Sequence, residues 1–69
     1  MSNLNHDKQY QILRLPDVVK TTGLSRSSIY AAISQDIFPK QFHIGPRSVG
    51  WLKSEIDEWI EKQIIHSRG

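Results

Sequence analysis

The densest run of side chains able to hydrogen-bond to a partner is Ser25-Arg26-Ser27-Ser28, followed by Tyr30. The serines offer hydroxyls. Arg26 offers a permanent charge with donors in a planar fork, and Tyr30 a ring with a hydroxyl at its tip. Such a set suits a polyanion with readable edges: arginine pairs with a guanine edge or a phosphate, and hydroxyls reach either. A second basic point is Arg47, in Gly45-Pro46-Arg47-Ser48, and Lys20, Lys40 and Lys53 are spread around these two.

Other chemistries find little support. The chain has no cysteine, no glycine-rich phosphate loop and no His-Glu-x-x-His pattern. Asp57 and Glu58 are adjacent in a helical stretch, so they point about 100° apart and make a poor acid–base pair. His6, His43 and His66 are scattered without ligand spacing, so no metal and no cofactor is expected. With 69 residues the chain can hardly enclose a substrate, and no catalytic activity is expected. No apolar run approaches the ~20 residues of a membrane span, and Met1–Gln11 lacks the apolar centre of a signal peptide. The absence of cysteine fits a reducing cytosol. A cytoplasmic protein is the expectation.

The net charge of +2 is modest, but it is unevenly placed. From Lys20 to Lys53 five bases face one acid, Asp36, whereas from Ser54 onward four acids face Lys62 and Arg68. Ordinary solvated surface would account for either stretch alone. On charge alone that plain reading is slightly the stronger; the alternative is a basic middle that attracts a polyanion and an acidic end that repels it.

Short elements must hold these groups. Residues 1–11 read as a flexible tail and 12–66 as one domain. A domain this small buries only ~60% of its unfolded surface, so its large apolar residues must be mostly structural. Leu13-Arg14-Leu15 suits an extended lead-in. Pro16 fits the first position of a helix, Asp17 its first turn, and Gly23 its end. The inward stripe is Leu15, Val18, Val19 and Thr22. Ser25 is a helix N-cap for a second helix from about Arg26 to Ser34, with Ile29, Ala32 and Ile33 inward. Ser28 is expected partly inward. Two short helices joined by a turn at Gly23 are the pattern of a helix-turn-helix.

Gln41–Ile44 and Ser48–Leu52 read as strands around a tight turn, with Phe42, Ile44, Val49 and Trp51 available for packing. Ser54 is expected to cap a last helix, with Asp57 completing the capping box and Ile56, Trp59, Ile60 and Ile64 forming one stripe. Phe38, Trp51 and Trp59 are expected in the core.

In a helix-turn-helix the second helix enters the major groove, with its amino-terminal residues on base edges. Here those are Ser25, Arg26, Ser27 and Tyr30. Ser25 is better suited to capping, and Tyr30 fits either a contact with sugar and phosphate or a half-buried place closing the core. Arg47 and Ser48 would form a wing; arginine is drawn to a narrowed minor groove. Lys20, Lys40 and Lys53 suit phosphates.

Leu13-Arg14-Leu15, Val18, Thr22 to Tyr30, Phe38-Pro39-Lys40, Ile44 to Arg47, Val49-Gly50-Trp51 and Ser54 to Ile60 together resemble the AlpA-type prophage regulators. The resemblance covers roughly residues 12 to 62. It implies a mainly α fold with a small β-hairpin, a MerR-like or excisionase-like winged helix-turn-helix. It further implies a bacterial regulator of transcription acting near an integrase gene or, alternatively, an excisionase-like architectural factor. Double-stranded DNA is the implied partner. Several copies on DNA, or an integrase or RNA polymerase, are expected to supplement so small a module. A pure protein-interaction module, using Ile60, Ile64 and Ile65 on the acidic helix, is the remaining alternative. Asp36-Ile37 departs from the pattern: such proteins often carry a glycine-containing loop there, and Ile37 is expected to be exposed.

Overall fold

The computed structural model describes residues 10–68. The elements run β1 (Ile12–Leu13), α1 (Leu15–Thr22), α2 (Arg26–Ser34), β2 (Phe42–Gly45), β3 (Ser48–Leu52) and α3 (Lys53–Arg68). Three helices and a small antiparallel sheet make up a winged helix-turn-helix. Residues 1–9 of the expected tail lie outside the described residues. Gln11 is not loose, because its carbonyl accepts the N–H of Lys53 at 2.8 Å.

Helix α1 begins one residue earlier than Pro16 suggests, with Arg14 in the extended N-cap position. Asp17 Oδ2 accepts the backbone N–H of Arg14 at 3.4 Å. At the other end Gly23 takes φ 78°, which costs glycine nothing for want of a Cβ. Its N–H reaches Val19 O at 2.8 Å. Thr22, half-buried, stitches the turn: its hydroxyl donates to Val18 O at 2.7 Å and accepts from Leu24 N at 3.2 Å.

Helix α2 starts where Ser25 caps it, Oγ accepting the Ser28 N–H at 3.1 Å. Its far end is a Schellman turn: Ile37 N donates to Ala32 O at 3.0 Å and Asp36 N to Ile33 O at 2.9 Å. The residue past the cap must then be left-handed, and Asp36 is, at φ 64°. Aspartate holds the conformation that glycine usually supplies, so the departure in the sequence leaves the turn intact. Ile37 is exposed, as expected.

The sheet has three strands rather than the two expected, in the order β1-β3-β2. Ile12 and Leu13 pair with Leu52 and Trp51. The hairpin pairs Phe42 with Gly50 and His43 with Val49, then shifts register before Gly45 meets Ser48. This irregularity carries β2 one residue further than expected. Helix α3 also differs from expectation. It follows β3 without a loop and begins at Lys53, so Ser54 lies inside its first turn and is not the cap. Asp57 pairs instead with Lys53 Nζ at 2.7 Å.

Leu13, Val18, Ile29, Phe38, Trp51 and Ile56 form the core. Trp51 is fully buried, and its Nε1 donates to Pro39 O at 3.0 Å. Trp59 sits at the core's edge rather than within it. It is half-buried, with its Nε1 on Ile37 O at 2.8 Å and its ring edge-on to Phe38 at 4.8 Å. These two indole bonds tie the loop after α2 to β3 and α3, an arrangement in which each ring buries area while its polar edge stays paired. Ile64 falls beyond the core and is exposed.

Candidate nucleic-acid interface

The surface begins with α2. Ile29 is its one fully buried residue, and Ala32 and Ile33 pack against the core. Helical geometry then forces Arg26, Ser27, Tyr30 and Ala31 outward, and all four are exposed. Tyr30 is 38% exposed and outside the core cluster, partly covered yet open to a partner. Ser28 is exposed too, contrary to the expectation that it faces inward. Its hydroxyl accepts from Ser25 Oγ at 3.0 Å. Both uses of the Ser25 hydroxyl are therefore internal, and Ser25 shapes the start of the helix. The free donors there are those of Arg26 and Ser27 and the hydroxyl hydrogen of Ser28, whose oxygen only accepts.

The wing presents Arg47 at its tip, exposed in the turn between β2 and β3, with Ser48 half-buried beside it. Helix α2 packs on α1, and α1 packs on β3. One helix, α1, therefore fixes α2 relative to the wing.

The lysines differ from one another. Lys20 is exposed in the last turn of α1. Lys40 faces Asp36 at 3.8 Å, and Lys53 faces Asp57 at 2.7 Å. Both pairs are solvent-exposed, so each contributes only ~0–1 kcal/mol and a phosphate can displace the acid at little cost. Among the described residues Lys20, Arg26 and Arg47 have no acidic partner.

Arg14 was not singled out by spacing. Its Nε donates to Val49 O at 3.1 Å, tying the start of α1 to the middle strand of the wing. The side chain stays exposed, so its charge stands beside β3 at Val49, two residues along the chain from Arg47. The cue in the sequence is a lone arginine between apolar residues of an extended segment.

Helix α3 is acidic. Glu55, Asp57, Glu58 and Glu61 are all exposed on α3. The groove between α3 and residues 36–40 is floored by Phe38 and Trp59 and edged by charges of both signs, Asp36, Glu55 and Glu58 with Lys40 and Lys62.

A family model for the prophage CP4-57 regulatory protein (AlpA) matches residues 11–64, nearly the whole described chain. The chain belongs to the AlpA family. It is 38% identical over 66 residues to a protein of Escherichia coli (strain K12) named DNA-binding transcriptional activator AlpA, covering 87% of this chain and 94% of that one. It is also 43% identical over 56 residues to the uncharacterized protein ORF88 of Enterobacteria phage P4, covering 81% of this chain and 64% of that relative. The matched residues include α2, the hairpin and most of α3.

Proposed function

We propose that this AlpA-family protein is a sequence-specific DNA-binding regulator of transcription, of the prophage or genomic-island type, acting near an integrase gene. The observation that carries this reading is the outward face of α2. There Arg26, Ser27 and Tyr30 stand exposed beside a capped helix start, on the fold in which such a helix enters the major groove. Arg26 is the base reader, pairing bidentately with guanine. Tyr30 follows one turn later and lies along the sugar-phosphate backbone. Arg47 enters the minor groove from the wing, with Ser48 beside it, and Lys20, Lys40, Lys53 and Arg14 contact phosphates. Beyond its first turn, which carries Lys53, the acidic α3 is turned from the duplex. The Escherichia coli relative, named as a DNA-binding activator, supports the same assignment. No catalytic step is involved, and the protein works in the bacterial cytoplasm on the nucleoid.

A single module of this kind buries only ~600–1,000 Å² on DNA, which is little for strong specificity. Additional copies, or an integrase or RNA polymerase bound alongside, supply the rest. The test is footprinting on genomic fragments, followed by a reporter driven by the protected region. A discrete protected site whose promoter responds to the protein is the expected outcome. A protected site at an attachment sequence with no change in transcription would make the protein an architectural factor. No protected site at all would refute DNA binding.

A further inference from the structure

The middle strand of the sheet is held unevenly. Its C-terminal half pairs with β1, Leu52 with Ile12 and Trp51 with Leu13, and the Trp51 ring is buried in the core. Its other half, Ser48 and Val49, lies past the end of β1, because the chain turns into α1 at Leu15. In an antiparallel ladder alternate residues direct their backbone groups to the same neighbour. Lys53 N bonds Gln11 O at 2.8 Å, so Lys53, Trp51 and Val49 all turn their backbone groups toward β1. The residue that would continue the ladder at Val49 is Leu15, which is already helical. The Arg14 side chain takes its place, Nε donating to Val49 O at 3.1 Å. Gly50 permits the close approach. A Cβ there would lie 2.6 Å from Ile12 Cγ2 and 3.1 Å from Leu13 O, and would push β1 and the residue after it off the strand.

Both ends of the Arg14–Val49 bond belong to elements that meet DNA in the reading above. Arg14 is the N-cap of α1, its own carbonyl bonded by Asp17 N at 2.9 Å and Val18 N at 3.0 Å, and α2 packs on α1. Val49 rests its side chain on the core and lies two residues from Arg47. Strand β2 is paired with β3 alone, so the tilt of β3 is the tilt of the whole hairpin. A strand rises ~3.3 Å per residue, so a rotation of about 10° at Trp51 moves Arg47, four residues away, by about 2 Å. That takes a donor out of hydrogen-bond reach.

We propose that Arg14 is a positioning residue for the wing, an inference that rests on the DNA-binding reading above. Its bond to Val49 completes the ladder that β1 leaves unfinished, sets the tilt of the hairpin against α1 and α2, and so sets where Arg47 meets the duplex. No acid among the described residues forms an ion pair with Arg14, so its Nε stays committed to the strand.

Two substitutions separate the bond from the charge. Glutamine carries an amide nitrogen at the same depth as Nε but no charge. Lysine keeps the charge and has a methylene at that depth. Each is measured alone and together with Arg47→Ala, by mobility shift on a duplex carrying the footprinted site at one salt concentration. Arg14→Lys should cost about threefold or more in affinity when Arg47 is present. With Arg47→Ala it should cost less than about twofold, because the group it misplaces is already gone; coupling of this size marks residues that act together. Arg14→Gln should cost the same factor on both backgrounds, since it loses only a phosphate charge. A lysine loss equal on the two backgrounds, no lysine loss, or glutamine coupled as strongly as lysine would overturn the inference. If the wild-type protein protects no site, the DNA-binding reading fails on its own. Amide hydrogen exchange of residues 42–52 in the free proteins then decides the bond. Exchange about threefold or more faster in Arg14→Lys than in Arg14→Gln keeps the placement of the hairpin with Arg14, and equal rates end it.

Discussion

Replacing Asp36 by glycine should stabilise the domain, and replacing it by alanine should not. Asp36 sits at φ 64° as the residue that closes the Schellman turn after α2. A left-handed L-residue costs ~1–2 kcal/mol, at the low end for aspartate, whose short polar side chain suits the region. Glycine removes that cost but returns ~0.5–1 kcal/mol through its freer unfolded chain. The pair with Lys40, at 3.8 Å and with side chains 69% and 84% exposed, contributes little. The net gain for Asp36→Gly is at most about 0.5 kcal/mol. Asp36→Ala keeps the strain and loses aspartate's tolerance of it, a loss of about 0.5 kcal/mol. The gap between the two variants is then about 0.5–1 kcal/mol, or roughly 2–8 °C in Tm for a domain of this size. Circular-dichroism melts, checked for two-state behaviour by calorimetry, would measure it. An alanine variant melting at or above the glycine variant would refute the left-handed assignment, and with it the Schellman turn that sets the path of residues 36–40.

Trp51→Ala should unfold the domain at ordinary temperature. Truncating a fully buried aromatic costs ~3–5 kcal/mol, comparable to the whole stability of a staple-free domain this small, and a sharp thermal transition in the variant would contradict it. Ser25→Ala should cost about 1 kcal/mol by melting, since the cap on Ser28 N is lost; an unchanged Tm would return Ser25 to a direct DNA role. DNA affinity should fall steeply with salt, with a log–log slope of roughly −3 to −4.5 if three to five of the basic groups reach phosphates at about −0.9 each. A slope near zero would rule out that interface. Arg47→Ala should weaken binding to many sequences, most of all those with A·T-rich flanks, as titrations on a panel of flanking sequences would show; a loss confined to one base position would make Arg47 a direct base reader.

The parts of the fold legible in the sequence were those decided locally. Gly23 and Ser25 mark the turn between α1 and α2 by their own backbone and side-chain chemistry, and the apolar spacing of Ile29, Ala32 and Ile33 fixes the outward face that carries Arg26 and Ser27. What escaped was decided by distant pairing. Strand β1 is two residues long and exists because Leu52 and Trp51 are there to bond it. Ser54 has the composition of a cap, but α3 starts directly off β3, so the cap position has already passed. The register shift before Gly45 carries β2 one residue along the chain, from the expected Gln41–Ile44 to Phe42–Gly45, which alternation alone cannot reveal. Within the site, exposure of the arginines followed from helix phase and turn position. The acid partners of Lys40 and Lys53, and the bond from Arg14 to the wing, became visible only in three dimensions. Trp59 shows the limit of residue type as a guide: it is as large as Trp51, yet it closes the core's edge with its indole N–H on a loop carbonyl.

The central claim is that α2 reads base sequence through Arg26. The most direct measurement is the affinity of Arg26→Ala for the footprinted site and for scrambled DNA of the same length, at one salt concentration. Arg26 is exposed and outside the core, so the variant should fold normally. A bidentate guanine contact makes the expected loss ~1–3 kcal/mol on the specific site, with a clearly smaller loss on scrambled DNA, where only a charge has gone. Equal losses on the two DNAs would make Arg26 a phosphate contact and leave the base-reading role of α2 contradicted at its principal residue.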